Sequence, residues 1–329
     1  MQRFIQALAA SAVVAALLPG SAHAGTTVTP FSALYVFGDS LSDSGNNALV
    51  LGANGAQPIP DNSYVPVQPY GLNAYTNGLV WVNSFAAGIG LPAAAMPSLA
   101  GGGDYAYGGA RTAVDGVPFP PSANTVLNGF LASPIGVSPS ALYVIAVGGN
   151  DILEVGTAIA AGAPLSTINT AAAAYASAIG SMVDALQARG AANIVVWDAP
   201  NVGKAPAVLA QGALASIVAT NIASAFNLAL TVELAGEPGV TVFDVFGAVD
   251  TIVANPGAFG LTNVTDACGA VPGCDPSQYL FWDGIHPTSA GHALLASGML
   301  AAVAVPEPAG WLMFVFGGLL LGLMRRRQT

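Results

Sequence analysis

The chain contains only three histidines, His23, His286 and His292, and that scarcity narrows the search for a general base. Imidazole is the side chain whose unperturbed titration lies nearest neutral pH. His23 lies in an apolar N-terminal segment and His292 in an alanine-rich helical pattern, which leaves His286 in Phe281-Trp282-Asp283-Gly284-Ile285-His286-Pro287-Thr288. Asp283 stands three residues before it, so its carboxylate can turn back and accept a hydrogen bond from one ring nitrogen while the other faces a nucleophile. A serine hydroxyl needs such a partner, being a weak nucleophile until a base takes its proton. The same Asp-x-x-His also suits a purely structural role, capping a helix that begins near Ser289 with Pro287 fixing the entry turn.

Ser40 is the serine best placed to meet that base. It follows the apolar run Ala33-Leu34-Tyr35-Val36-Phe37 in the stretch Gly38-Asp39-Ser40-Leu41-Ser42-Asp43-Ser44-Gly45-Asn46-Asn47. It is therefore expected just beyond the carboxyl end of a strand, where open α/β sheets bind ligands. Gly38 permits a tight turn, and the amides of a following helix would face the hydroxyl. Read alone, Ser40 fits a helix N-cap at least as well. No Gly-x-Ser-x-Gly surrounds any serine, which argues against the nucleophile elbow of the α/β-hydrolase lipases.

The elements that must position these groups follow in order. Gly52 to Asn77 is rich in Pro, Asn, Gly and Tyr without periodicity, and reads as a long loop able to form part of a substrate rim. Gly78 to Ala87 opens a helix whose aromatics suit a core. Asp104-Tyr105-Ala106-Tyr107-Gly108-Gly109-Ala110-Arg111 is a short strand meeting a glycine pair, where backbone N–H groups can approach a ligand oxygen. Arg111 fits either an anionic substrate or a structural salt bridge. Ala141 to Val147 is almost continuously apolar, as in a parallel strand covered on both faces, and ends in Gly148-Gly149-Asn150-Asp151. That delivers the Asn150 amide to the same sheet edge as Ser40. Helical stretches at 170–189 and 214–234 alternate with strands at 193–198 and 240–245, the pattern of a parallel sheet with crossover helices in one large domain.

Both ends carry transport signals. Residues 1–24 run from a basic start through an apolar core to Ala22-His23-Ala24, as in a secretory signal peptide. From Val305, a Pro-Glu-Pro sequence precedes an apolar stretch, 309–324, and three arginines. This segment, 305–329, resembles a PEP-CTERM sorting tail, which implies membrane insertion before processing by an exosortase at a bacterial envelope; an ordinary tail anchor is the alternative. Between the ends the only basic residues are Arg111, Arg189 and Lys204 in a chain of formal charge −10, which argues against nucleic-acid binding. The only two cysteines, Cys268 and Cys274, lie in a Gly/Pro-rich segment without further metal ligands nearby, and in an exported chain are expected to close a loop as a disulfide.

Four islands, Gly38-Asp39-Ser40-Leu41, Gly108-Gly109, Gly148-Gly149-Asn150-Asp151 and Asp283-Gly284-Ile285-His286, occur in this order. Together they resemble the blocks of the GDSL, or SGNH, hydrolases, most closely the lipase and esterase branch, over residues 33–302. The resemblance implies a flavodoxin-like α/β/α sandwich with strand order 2-1-3-4-5 and a cofactor-free serine hydrolase holding no metal. It implies Ser40 as nucleophile, His286 as base and acid, and Asp283 as orienting carboxylate. The implied oxyanion hole is the N–H groups of Ser40 and Gly108, with Gly109 as the alternative, and the Asn150 amide. A lipid or small ester is the implied substrate. Deacetylation of envelope polysaccharide is an alternative enzyme reading, and a catalytically silent surface-binding module is one of another class.

Overall fold

The computed structural model describes residues 27–28, 31–52 and 68–305. The expected signal segment 1–24, the tail beyond Val305 and the middle of the 52–77 loop lie outside them. Besides the two-residue antiparallel pair Thr27–Val28 and Ala304–Val305, the strands are β1 (Leu34–Gly38), β2 (Leu142–Ala146), β3 (Asn193–Trp197), β4 (Val240–Phe243), β5 (Asn263–Ala267) and β6 (Tyr279–Phe281). The helices are α1 (Asn46–Leu51), α2 (Trp81–Gly88), α3 (Ala123–Ala132), α4 (Gly149–Ala160), α5 (Thr167–Gln187), α6 (Pro206–Leu209), α7 (Ala213–Glu233), α8 (Val245–Ala254) and α9 (Ser289–Val303).

β1 to β4 form a parallel sheet in that order, with Leu34 opposite Leu142, Leu142 opposite Asn193 and Ile194 opposite Val240. Side chains alternate across a strand, so each strand feeds two cores. Phe37, Tyr143, Ile145, Ile194 and Val196 face one layer, made by α3, α4, α5 and α7. Val36, Leu142, Val144, Val195 and Trp197 face the other, made by α2, α8 and α9. The buried stripe of α5, Ala172, Tyr175, Ala176, Ile179, Met182, Val183 and Leu186, recurs at the three- and four-residue steps of one helical face. The result is the expected α/β/α arrangement.

The regular sheet has four strands in the order β1-β2-β3-β4, not five in the order 2-1-3-4-5. The outer position beside β1 is taken by residues 103–107, which run along it without forming a full strand. Val36 N–H donates to Gly103 O at 2.9 Å, Tyr105 N–H to Val36 O at 2.7 Å and Tyr107 N–H to Gly38 O at 3.1 Å. Only one parallel bridge, Val36 with Asp104, is formed there. Pro97 holds Asp104 from the other side, and Gly108 begins a turn.

A small parallel pair, β5 with β6, carries the last motif. Beyond β6 the chain doubles back, with Trp282 N–H donating to His286 O at 2.8 Å and Thr288 N–H to Leu280 O at 2.8 Å. Thr288 then caps α9, its hydroxyl accepting from Gly291 N–H at 3.1 Å. Asp283 and His286 are thus released from the capping role, and α1 is entered at Gly45 rather than Ser40.

Candidate active site

The carboxyl ends of β1 and β2 and the β6 turn converge on one point. His286 Nε2 lies 2.7 Å from Ser40 Oγ, and His286 Nδ1 lies 2.6 Å from Asp283 Oδ2. Asp283 is fully buried, His286 nearly so, and Ser40 retains 8% exposure. The ionised carboxylate is acceptor-only, so it fixes the proton on Nδ1 and leaves Nε2 to accept from the serine hydroxyl. Burial alone would raise the Asp283 pKa, but the neighbouring His286, the Tyr70 hydroxyl and the Ile285 amide hold it below the usual carboxylate value.

Each member is held locally. Asp283 Oδ1 accepts from Ile285 N–H at 2.8 Å and His286 N–H at 2.7 Å, which fixes the carboxylate within its own turn. Ser40 rests on Asp39, whose backbone oxygen accepts from the amides of Ser42 and Asp43 and whose Oδ1 accepts from Leu41 N–H. Asp39 is buried and its pKa is pushed up to about 7, mainly by desolvation.

The glycine pair needs a correction. Gly108 N–H donates to Asp43 Oδ2 at 2.9 Å, so the expected oxyanion donor is already committed. A Cβ at Gly108 would collide with the Tyr75 ring and the Asn47 amide, so close approach explains this glycine. Gly109 is exposed, has φ +82, and its N–H has no acceptor among the described residues. It is the glycine of the pair with an amide to offer. Asn150 donates one amide hydrogen to Ala110 O at 2.9 Å, which orients the group and leaves the second hydrogen unspent. Asn150 and Ser40 line the same cavity.

Several residues at the site were given no role from the sequence. Asp43, fully buried, gathers the amides of Gly45, Asn46, Asn47 and Gly108, tying the Ser40 block to the glycine turn. Asn46 Nδ2 bonds the carbonyls of Asp104 and Ala106, and Asn47 Nδ2 bonds Gly108 O and Tyr75 Oη. The Tyr75 ring stacks on His286 at 5.2 Å, and Tyr70 Oη donates to Asp283 Oδ2 at 2.6 Å. A run of Asp and Asn just after a catalytic-type serine was the available signal for the first group. The tyrosines gave none beyond being aromatic in a polar loop.

Beside Ser40 lies an open cleft of about 620 Å³, a volume that includes the solvent at its mouth. Leu153 of α4, Val202 and Ala205, Val249 of α8, and Ile285 form its largely apolar walls. The described end of the expected rim segment, residues 68–77, covers the histidine and aspartate rather than this cavity. Arg111 pairs with Glu154 at 2.6 Å and donates to Asp115 O at 3.0 Å, the structural alternative for that residue. Cys268 and Cys274 are joined in a disulfide.

Comparison with known proteins gives the family. The profile of the GDSL-like lipase/acylhydrolase family matches residues 34–299. A Pseudomonas putida protein, described only as uncharacterized and from a trpE-trpG intergenic region, is 30% identical over 89% of this chain and 52% of its own length. Esterase EstA of Pseudomonas aeruginosa is 29% identical over 84% of this chain and 48% of its own length. The Arabidopsis thaliana GDSL esterase/lipase At1g73610 is 27% identical over 89% of this chain and 95% of its own length. The chain therefore spans about half the length of those two bacterial relatives. With the family profile running from β1 to α9, through every block that builds the site, the chain belongs to the GDSL-like lipases and acylhydrolases.

Proposed function

We propose that the chain is an exported serine esterase or lipase that cleaves carboxylic esters through an acyl-enzyme on Ser40. The observation that carries this reading is the hydrogen-bonded relay from Ser40 through His286 to Asp283, at 2.7 and 2.6 Å, opening on an apolar cavity. Ser40 Oγ attacks the ester carbonyl while Nε2 takes its proton. The carbonyl oxygen becomes an oxyanion met by the Ser40 and Gly109 amides and the Asn150 side chain. His286 returns the proton to the departing alkoxide, and the alcohol leaves. Water then attacks the acyl carbon, gives a proton to the same nitrogen and releases the acid as Ser40 is reprotonated.

The apolar walls favour the acyl chain of a lipid-like ester over an acetylated sugar. A disulfide supports export, since such bonds persist in oxidising compartments. Cleavage of residues 1–24 and exosortase processing of a membrane-inserted 305–329 tail complete the proposal. Mass spectrometry of the exported chain should find Gly25 as its first residue.

A fluorophosphonate probe and p-nitrophenyl esters test the reaction. The wild type should be labelled and should hydrolyse the esters; Ser40→Ala should do neither while keeping its melting temperature. Full hydrolysis by Ser40→Ala would end the assignment.

A further inference from the structure

Resting on that reading of the triad, we propose that Tyr70 is a positioning residue of the reaction, acting on Ser40 and His286 through Asp283. A carboxylate has about four lone-pair directions to satisfy. Asp283 satisfies them with Ile285 N–H, His286 N–H, His286 Nδ1 and Tyr70 Oη, at 2.8, 2.7, 2.6 and 2.6 Å. The group is fully buried, so a lost partner leaves a lone pair facing protein rather than bulk water. Three of the four partners lie within three residues of Asp283. Tyr70 alone is remote, 213 residues away in sequence.

The phenol is also built to donate. Burial and the adjoining Asp283 push its pKa well above the ordinary value, so the O–H stays protonated. It shares Oδ2 with the His286 ring, the oxygen whose position decides where the imidazole points. Tyr70 packs edge-on against Tyr75 with ring centroids 5.9 Å apart, and Tyr75 stacks on His286. The segment is pinned two residues earlier, where Gln68 N–H donates to Gly269 O at 3.2 Å and Gln68 Nε2 to Val271 O at 3.1 Å within the disulfide-closed loop. One strap therefore seats a hydroxyl on the triad acid and a ring on the triad base.

The test is a double-substitution cycle read by the rate at which the fluorophosphonate probe labels Ser40. This measures serine activation whatever the natural ester is. Tyr70→Phe removes one oxygen and should slow labelling about 10-fold, the scale of a lost hydrogen bond to a buried charge, with KM for a short-chain p-nitrophenyl ester unchanged. In an Asp283→Asn background the same substitution should cost almost nothing, because the two residues act as one unit. Equal slowing in both backgrounds, or none in either, overturns the proposal. Should Tyr70→Phe lower the melting temperature, Gln68→Ala supplies the second variant, since it loosens the strap without touching Asp283. Its labelling deficit should likewise vanish in the Asp283→Asn background, and a persistent one counts against the proposal. Labelling that survives Ser40→Ala would instead refute the triad reading itself.

Discussion

Asn150 has one amide hydrogen committed to Ala110 and a second available to a developing oxyanion. Asn150→Ala should lower kcat by about 10²–10³-fold, the usual loss for one such donor, with a smaller change in KM. Steady-state kinetics on a p-nitrophenyl ester check this, and a kcat near wild type would remove Asn150 from the oxyanion site. Ser40, Asn150, Asp283 and His286 were legible in the sequence only through the four islands taken together and in order, since each local pattern alone also suits a cap or a turn. Gly108 and Gly109 were legible as a pair but not individually, because the choice depends on the Asp43 carboxylate, which only folding brings to Gly108 N–H. Tyr70 and Tyr75 were hidden for a similar reason: their loop has no periodicity, and their partners lie more than 200 residues further along the chain.

The alternation of apolar runs and helical stretches announced β1 to β4 and the crossover helices α5 and α7, since burial on both faces imposes it. It could not announce that residues 103–107 would stop at a single bridge, because an edge segment is shaped by its neighbours at Pro97 and the glycine turn. Nor did it show that α8 would furnish a wall of the cavity. Val249 of that helix is partly buried and borders the space beside Ser40. Val249→Phe should therefore fill part of the proposed acyl site. Hydrolysis of p-nitrophenyl esters with long acyl chains should fall by about 10-fold or more relative to the acetate, a scale set by the few kcal/mol of burying a chain of methylenes. An unchanged chain-length profile would place the acyl group elsewhere.

The whole molecule carries an unusual titration. Desolvation pushes five buried or half-buried carboxyls up, Asp39 to about 7, Asp43 and Asp151 to about 6, Asp198 to about 8 and Asp104 well above its ordinary value. Their unfolded values are about 3.9, so the native state binds these protons more tightly and stability declines as pH rises from about 4 through each folded value. His292, pushed down to about 3 by burial, acts in the opposite sense: below about 6.5 its ring takes a proton only when unfolded. Asp283, held low, contributes stability that disappears only in stronger acid. The carboxyls outnumber the histidine, and the net negative charge works in their direction. Melting temperature should fall between about pH 5 and pH 8. Asp198→Asn should raise it at the alkaline end and leave the acidic end nearly unchanged. A melting temperature that climbs over this interval would contradict the account.

The nucleophile and its base lie 246 residues apart, the first just past the opening strand and the second just before the closing helix. Chemical competence therefore arrives last. On the proposed mechanism, a chain that stops before β6 carries a serine with no proton acceptor and is mute. Activity on that mechanism becomes a report that the two ends of the fold, β1 and the turn after β6, have come together.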